Sequence, residues 1–134
     1  MVARHVLREV VLALLEQRMD DPDRVSIAEV LRAAVHEAND SVNEQIPEGG
    51  TTVTATVILG DLAHIAHVGD SRAYLLSEGS LEQITRDHSP VGEREDAGEL
   101  TEIEAMSHPR RNEVFRDVGS EHHGLADPDF IDIY

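Results

Sequence analysis

In His67-Val-Gly-Asp-Ser-Arg-Ala-Tyr-Leu-Leu76 an acidic residue follows a glycine where one apolar run ends and another begins. A carboxylate at such a point is either a satisfied turn residue or part of a site, and Gly-Asp between strands is also an ordinary turn or bulge signal. The histidines offer other chemistry. His64 and His67 suggest a metal pair, but on a strand a spacing of three points them to opposite faces, which makes them half-buried strand histidines rather than joint ligands. His122-His123, with Asp127 and Asp129 nearby, combines imidazole and carboxylate groups of the kind that bind zinc, although adjacent loop residues seldom chelate one ion. Asp127-Pro-Asp129-Phe-Ile-Asp132 alternates acids but lacks the glycine and final glutamate of an EF-hand, so it reads as a solvated turn.

Composition removes several alternatives. Twenty-seven acidic against eleven basic residues give a formal charge of −16, which repels nucleic acid and anionic membranes. No lysine occurs, so no phosphate-binding P-loop can form, and no cysteine occurs, so neither disulfides nor thiolate metal sites exist. His-Glu-x-x-His, Gly-x-Ser-x-Gly and Gly-x-Gly-x-x-Gly patterns are missing too. No apolar run approaches the ~20 residues of a membrane span, and the first residues lack the pattern of a signal peptide, so the expected compartment is the cytoplasm. With 134 residues the chain is expected to form at most one domain, its core mostly aliphatic because Tyr74, Phe115, Phe130 and Tyr134 are the only aromatic residues.

The elements that must position Asp70 follow from periodicity. Leu7, Val10, Val11, Leu14 and Leu15 recur at helical spacing within residues 4–19, and Asp20-Asp21-Pro22-Asp23 ends that helix. Ser26-Ile-Ala-Glu29 is a capping box with Val25 and Val30 placed as a hydrophobic staple, and Ile27, Val30, Leu31, Ala34, Val35, Ala38, Val42 and Ile46 form the stripe of a second helix. Residues 51–85 read as an antiparallel meander of four strands, 51–59, 62–68, 71–76 and 81–85, with turns at Gly60-Asp61 and Ser77-Glu-Gly-Ser80. Strands two and three are apolar at nearly every position, which predicts cover on both faces. Residues 86–119 are polar and charged, too polar for a core, with a second capping box at Thr101-Glu-Ile-Glu104. Residues 120–134 end in Phe130-Ile-Asp-Ile-Tyr134, the pattern of a strand beginning.

The order of short motifs is more informative than any one of them. Gly50-Thr51-Thr52, His67-Val-Gly-Asp-Ser-Arg-Ala-Tyr-Leu-Leu76, Leu81-Glu-Gln-Ile-Thr-Arg-Asp-His-Ser89, Ala97-Gly98, Glu104-Ala105, His108-Pro-Arg-Arg-Asn112 and Val118-Gly119 follow one another. This succession resembles the bacterial metal-dependent protein phosphatases of the PPM, type 2C-like, family over nearly the whole chain.

The resemblance implies an α+β fold, a four-layer α-β-β-α sandwich, of which this chain would hold an incomplete portion: the helical pair (4–46), the antiparallel strands (51–85), a flap segment (86–119) and the start of a truncated strand region (120–134). It implies hydrolysis of phosphoserine and phosphothreonine in proteins by water activated between two Mg²⁺ or Mn²⁺ ions. Asp70 then matches an aspartate associated with a third metal ion, Ser71 and Arg72 support its turn, and residues from about Asp87 to Asn112 form a mobile flap. The family's N-terminal arginine and Glu-Asp pair, its Asp-Gly-x-Gly-Gly segment, its later Ser-Asp-Gly and its terminal Asp-Asn do not occur here. The expectation is therefore a fragment of a protein serine/threonine phosphatase, inactive alone and prone to self-association through unpaired sheet edges; the alternatives are a degenerate phosphatase serving as a binding or regulatory module, or an unrelated acidic α/β domain. The expected partner is a phosphoprotein, the target of a serine/threonine kinase.

Overall fold

A computed structural model describes residues 1–20, 26–111, 113, 118 and 128–134. Helices α1 (Val2–Asp20) and α2 (Ile27–Gln45) lead into β1 (Val53–Leu59), β2 (Leu62–Val68), β3 (Tyr74–Ser77) and β4 (Ser80–Gln83). Short helices α3 (Pro90–Asp96) and α4 (Glu102–Met106) follow, and β5 (Asp129–Ile133) comes last. The turn and staple expected at residues 21–25, the pair His122-His123, Asp127 and part of the flap, including Asn112, lie outside the described residues.

Helix α2 starts where its capping box requires. The Ser26 hydroxyl accepts from the Glu29 amide at 3.1 Å, and the Ser26 amide donates to the Glu29 carboxylate at 3.1 Å, so two amides without intrahelical partners are satisfied. Its apolar stripe is buried from Ile27 to Val42, with Val30, Ala34, Val35 and Ala38 fully covered, whereas Ile46, past the end of the helix, is exposed.

The strands do not form one meander. β1, β2 and β5 make a three-stranded sheet in that order, whereas β3 and β4 form a separate hairpin. The chain leaves the first sheet at Gly69, so the segment that reads as a link between neighbouring strands is the crossing between two sheets. β2 is central because β5, with Ala66 opposite Phe130 and His64 opposite Asp132, takes the edge that β3 would have occupied. The terminal apolar run is thus a full strand partner.

Both long helices cover one face of the three-stranded sheet. At one end Val2, Val6 and Leu7 of α1 and Val35, Ala38 and Val42 of α2 enclose Val53, Val68 and Val118. At the other end Ile27 and Leu31, with Val11 and Leu15, rest on Ala55, Val57, Ala66 and Phe130. Burial of one such aliphatic side chain contributes about 1.5–3 kcal/mol, so these clusters are the main source of stability. β2 matches the expectation of two covered faces over Ile65 to Val68.

β3 does not match it. Leu76 is 71% and Leu81 66% exposed, opposite one another in the hairpin, and Tyr74 is 47% exposed. Their apolar pattern marks a surface that among the described residues has no covering element. The hairpin owes its register to its turn: Glu78 and Gly79 both have positive φ, the two-residue geometry that matches the twist of paired strands.

The polar segment also departs from expectation. Thr85, Asp87, His88, Ser89 and Val91 are all less than a tenth exposed, so its first part lies inside the molecule. It is held there by hydrogen bonds rather than by apolar contact. Ser89 caps α3 by accepting from the Gly92 amide, with Pro90 at the first helical position. Thr101 caps α4 through the capping box expected there.

Candidate functional site

Gly69 makes the turn that carries Asp70 out of the sheet. Its φ is +111°, a conformation that other residues rarely adopt, and a Cβ at this position would lie 2.7 Å from Cβ of Thr52. Only glycine fits. The peptide thereby passes against β1 and delivers Asp70, half-buried, to the rim of a cavity of about 270 Å³. Arg72, Asp87, Glu95 and Glu102 line the same cavity. Thr52 and Ser71 join their hydroxyls at 2.5 Å across the turn.

Arg72 is engaged by two acids. Its Nε donates to Asp87 Oδ1 at 3.0 Å and its Nη2 to Asp87 Oδ2 at 2.7 Å and Glu95 Oε2 at 2.9 Å. The hydrogen bonds to Asp87, more than any other influence, hold the guanidinium even more firmly protonated than an ordinary arginine. Two consequences follow. The cation is a brace between the turn and α3, not a free anion receptor, and Asp87 and Glu95 have committed their charge to it. Neither Asp70 nor the exposed Glu102 makes a hydrogen bond or ion pair through its carboxylate among the described residues, so of the acids in this group Asp70 is the half-buried one that keeps its lone pairs for another ligand.

Behind the turn lies a buried polar cluster that sequence reasoning missed. The rings of His67 and His88 stand 5.1 Å apart. His67, fully buried rather than half-buried, accepts at Nδ1 from the Thr54 hydroxyl (2.9 Å) and donates from Nε2 to the Arg86 carbonyl (3.1 Å). Burial, then the neighbouring His88, lowers its pKa below the ordinary 6.5, so the ring is neutral at pH 7. His88 Nδ1 accepts from the Gly69 amide at 3.0 Å, and its Nε2 meets Asp129 Oδ2 at 2.8 Å. The signal available in sequence was Asp-His-Ser-Pro, residues 87–90, in which Ser-Pro announces a capped helix start directly after a histidine.

The register confirms that His64 and His67 face opposite ways, since they are separated by three positions on β2. His64 pairs with Asp132 at 2.8 Å and Asp129 faces His88, while His122, His123 and Asp127 lie outside the described residues. Among the described residues no group of three histidines or acids is placed to hold a metal ion. A larger cavity, about 600 Å³, lies between α1 and β1, but no acid or histidine lines it. No helix among the described residues is long and apolar enough to cross a membrane.

Comparison with known proteins agrees with this architecture. The chain is 38% identical over 120 residues to the serine/threonine protein phosphatase PstP of Mycobacterium tuberculosis, covering 85% of this chain and 23% of that protein. It is 35% identical over 129 residues to the serine/threonine phosphatase stp of Listeria welshimeri, covering 89% of this chain and 51% of that one. The PPM phosphatase MsPP of Mycobacterium smegmatis, solved with cacodylate, superposes with a TM-score of 0.70 at 32% identity over 95% of this chain and 54% of its own. The catalytic domain of PstP, solved with two manganese ions, gives a TM-score of 0.66 at 31% identity over 96% and 55%. The chain thus spans about half the length of those solved domains and adopts the corresponding part of their α+β fold. Residues 3–97, well over half of the sequence, match the protein phosphatase 2C family, and with this fold the chain belongs to that family.

Proposed function

We propose that the chain contributes one part of the active site of a serine/threonine protein phosphatase, supplying the Asp70 carboxylate to a Mg²⁺ or Mn²⁺ ion, and that alone it does not turn over phosphoesters. The observation that carries this reading is the contrast among the acids of the 270 Å³ cavity: Asp87 and Glu95 are bound to Arg72, Glu102 is exposed, and Asp70 is half-buried and not bound to Arg72. A hard carboxylate at a cavity rim suits a hard divalent cation.

The described residues do not complete a site for such an ion. Octahedral Mg²⁺ or Mn²⁺ is held by several oxygens, and no three acids or histidines converge among the described residues. No hydrolytic step is therefore assigned to this chain. What its residues do is fix Asp70: Gly69 allows the turn, and the Arg72 brace ties the turn to α3. The substrate class, phosphoserine and phosphothreonine in proteins, follows from the relatives named above, as does a phosphoprotein partner.

Two measurements test the reading. Titration with Mn²⁺ should broaden the nuclear magnetic resonance signals around Asp70 at weak affinity, and Asp70→Asn should abolish that broadening. Hydrolysis of p-nitrophenyl phosphate with Mn²⁺ should stay at background. Robust turnover lost in Asp70→Ala would contradict the inactivity, and broadening unaffected by Asp70→Asn would remove Asp70 as a ligand.

A further inference from the structure

The turn that presents Asp70 is held by a single residue from both sides. The His88 amide donates to the Gly69 carbonyl at 2.8 Å, and the Gly69 amide donates to His88 Nδ1 at 3.0 Å. A backbone amide can only donate, so Nδ1 carries a lone pair and the ring proton sits on Nε2, where it faces Asp129 Oδ2 at 2.8 Å. Asp129 lies on β5, opposite His67 of β2. His88 is 3% exposed and its ring is flanked by His67, so water does not replace either bond readily.

We propose that His88 is the positioning residue for Asp70, with Asp129 fixing its tautomer, so that pairing of β5 sets the placement of the Asp70 carboxylate. The other tautomer would set two N–H groups against each other at Gly69. Three elements far apart in sequence meet in one line, from the Asp129 carboxylate through the imidazole to the amide of Gly69, the residue before Asp70. Because Gly69 has no side chain, its own hold on the surroundings comes from its amide and carbonyl, and both bond to His88. The positioning role rests on the reading of Asp70 as a metal ligand; the clamp itself does not.

The test separates the two. In wild-type protein the ¹⁵N shifts of the His88 ring should show an unprotonated Nδ1 and a protonated Nε2, and the Gly69 amide should be protected from exchange. Asn places an oxygen where Nδ1 stands, so His88→Asn should keep that protection. Gln reaches towards the Nε2 position and leaves the amide without an acceptor, so His88→Gln should speed exchange about tenfold. Mn²⁺ broadening at Asp70 should weaken in His88→Gln and return in His88→Asn. A ring protonated at Nδ1, or equal Gly69 exchange in the two variants, overturns the clamp even if Asp70 binds Mn²⁺. Should wild-type Asp70 fail to respond to Mn²⁺ while the ring and amide signatures hold, the metal reading falls and the positioning role with it. The wild-type ring measurement decides the clamp even if a variant does not fold.

Discussion

The sheet under α1 and α2 and the β3–β4 hairpin are built from similar apolar material and meet different fates. Ala66 and Val68 of β2 are fully covered, whereas Leu76 and Leu81 are about two thirds exposed or more. The difference is not propensity, since all these stretches pair as strands in good register. It is coverage. The three-stranded sheet has two amphipathic helices whose stripes match its face; among the described residues the hairpin has none. An apolar strand pattern therefore records a need for a partner layer and not its presence.

This contrast can be broken or sharpened by experiment. The largest effect should come from Leu31→Ala, which empties a site that is 1% exposed between α2 and the sheet; a loss of about 2–5 kcal/mol in urea unfolding is expected. A loss below about 1 kcal/mol would mean that the helices do not pack as described.

The next effect is a pH dependence of the packed sheet. His67 has a folded pKa lowered by burial and by His88, partly opposed by Asp129 and by its hydrogen bond to the Arg86 carbonyl. The unfolded chain therefore binds the proton more readily, so stability is fully present above the ordinary pKa of 6.5 and is lost as pH falls from there towards the lowered folded value. Unfolding midpoints measured from pH 8 to 5 should decline, and His67→Gln, which keeps a donor for the Arg86 carbonyl, should flatten the part due to this ring. An equally steep decline in the variant would assign the effect to other groups.

The smallest effect on stability belongs to the hairpin. Replacing both Leu76 and Leu81 with Thr keeps strand propensity and should change stability by less than about 0.5 kcal/mol per site. The same double variant should reduce self-association in sedimentation, because it removes the largest exposed apolar pair of the hairpin. Unchanged association would place the sticky surface elsewhere, with the open edge of β1 the next candidate.

How much of this was legible in the sequence depends on which force holds each part. Helix α2 was legible down to its capping residues, because Ser26 and Glu29 act on their own neighbours and the apolar stripe is a local pattern. β1, β2 and both two-residue turns were legible for the same reason. The exchange of β3 for β5 beside β2 was not, because period-two patterns say that a strand exists without naming its neighbour. The family likeness was legible from the order of motifs, and with it the interest of Asp70. The clamp at His88 was hidden for a further reason. Thr85, Asp87, His88 and Ser89 are buried by polar bonds to backbone and side-chain groups, and hydrophobic periodicity is blind to burial of that kind. Asp129, weighed as a turn acid, has its partner 41 residues away.

That same separation shapes how the molecule assembles. α1 with α2, β1 with β2 and β3 with β4 are all contacts between neighbours in the chain, formed cheaply and early. His64 and Asp132 are 68 positions apart, so β5 can join β2 only after a long loop closes, at an entropic cost that local pairs escape. Until β5 pairs, the central strand of the finished sheet is an edge and His88 Nε2 lacks its Asp129 partner.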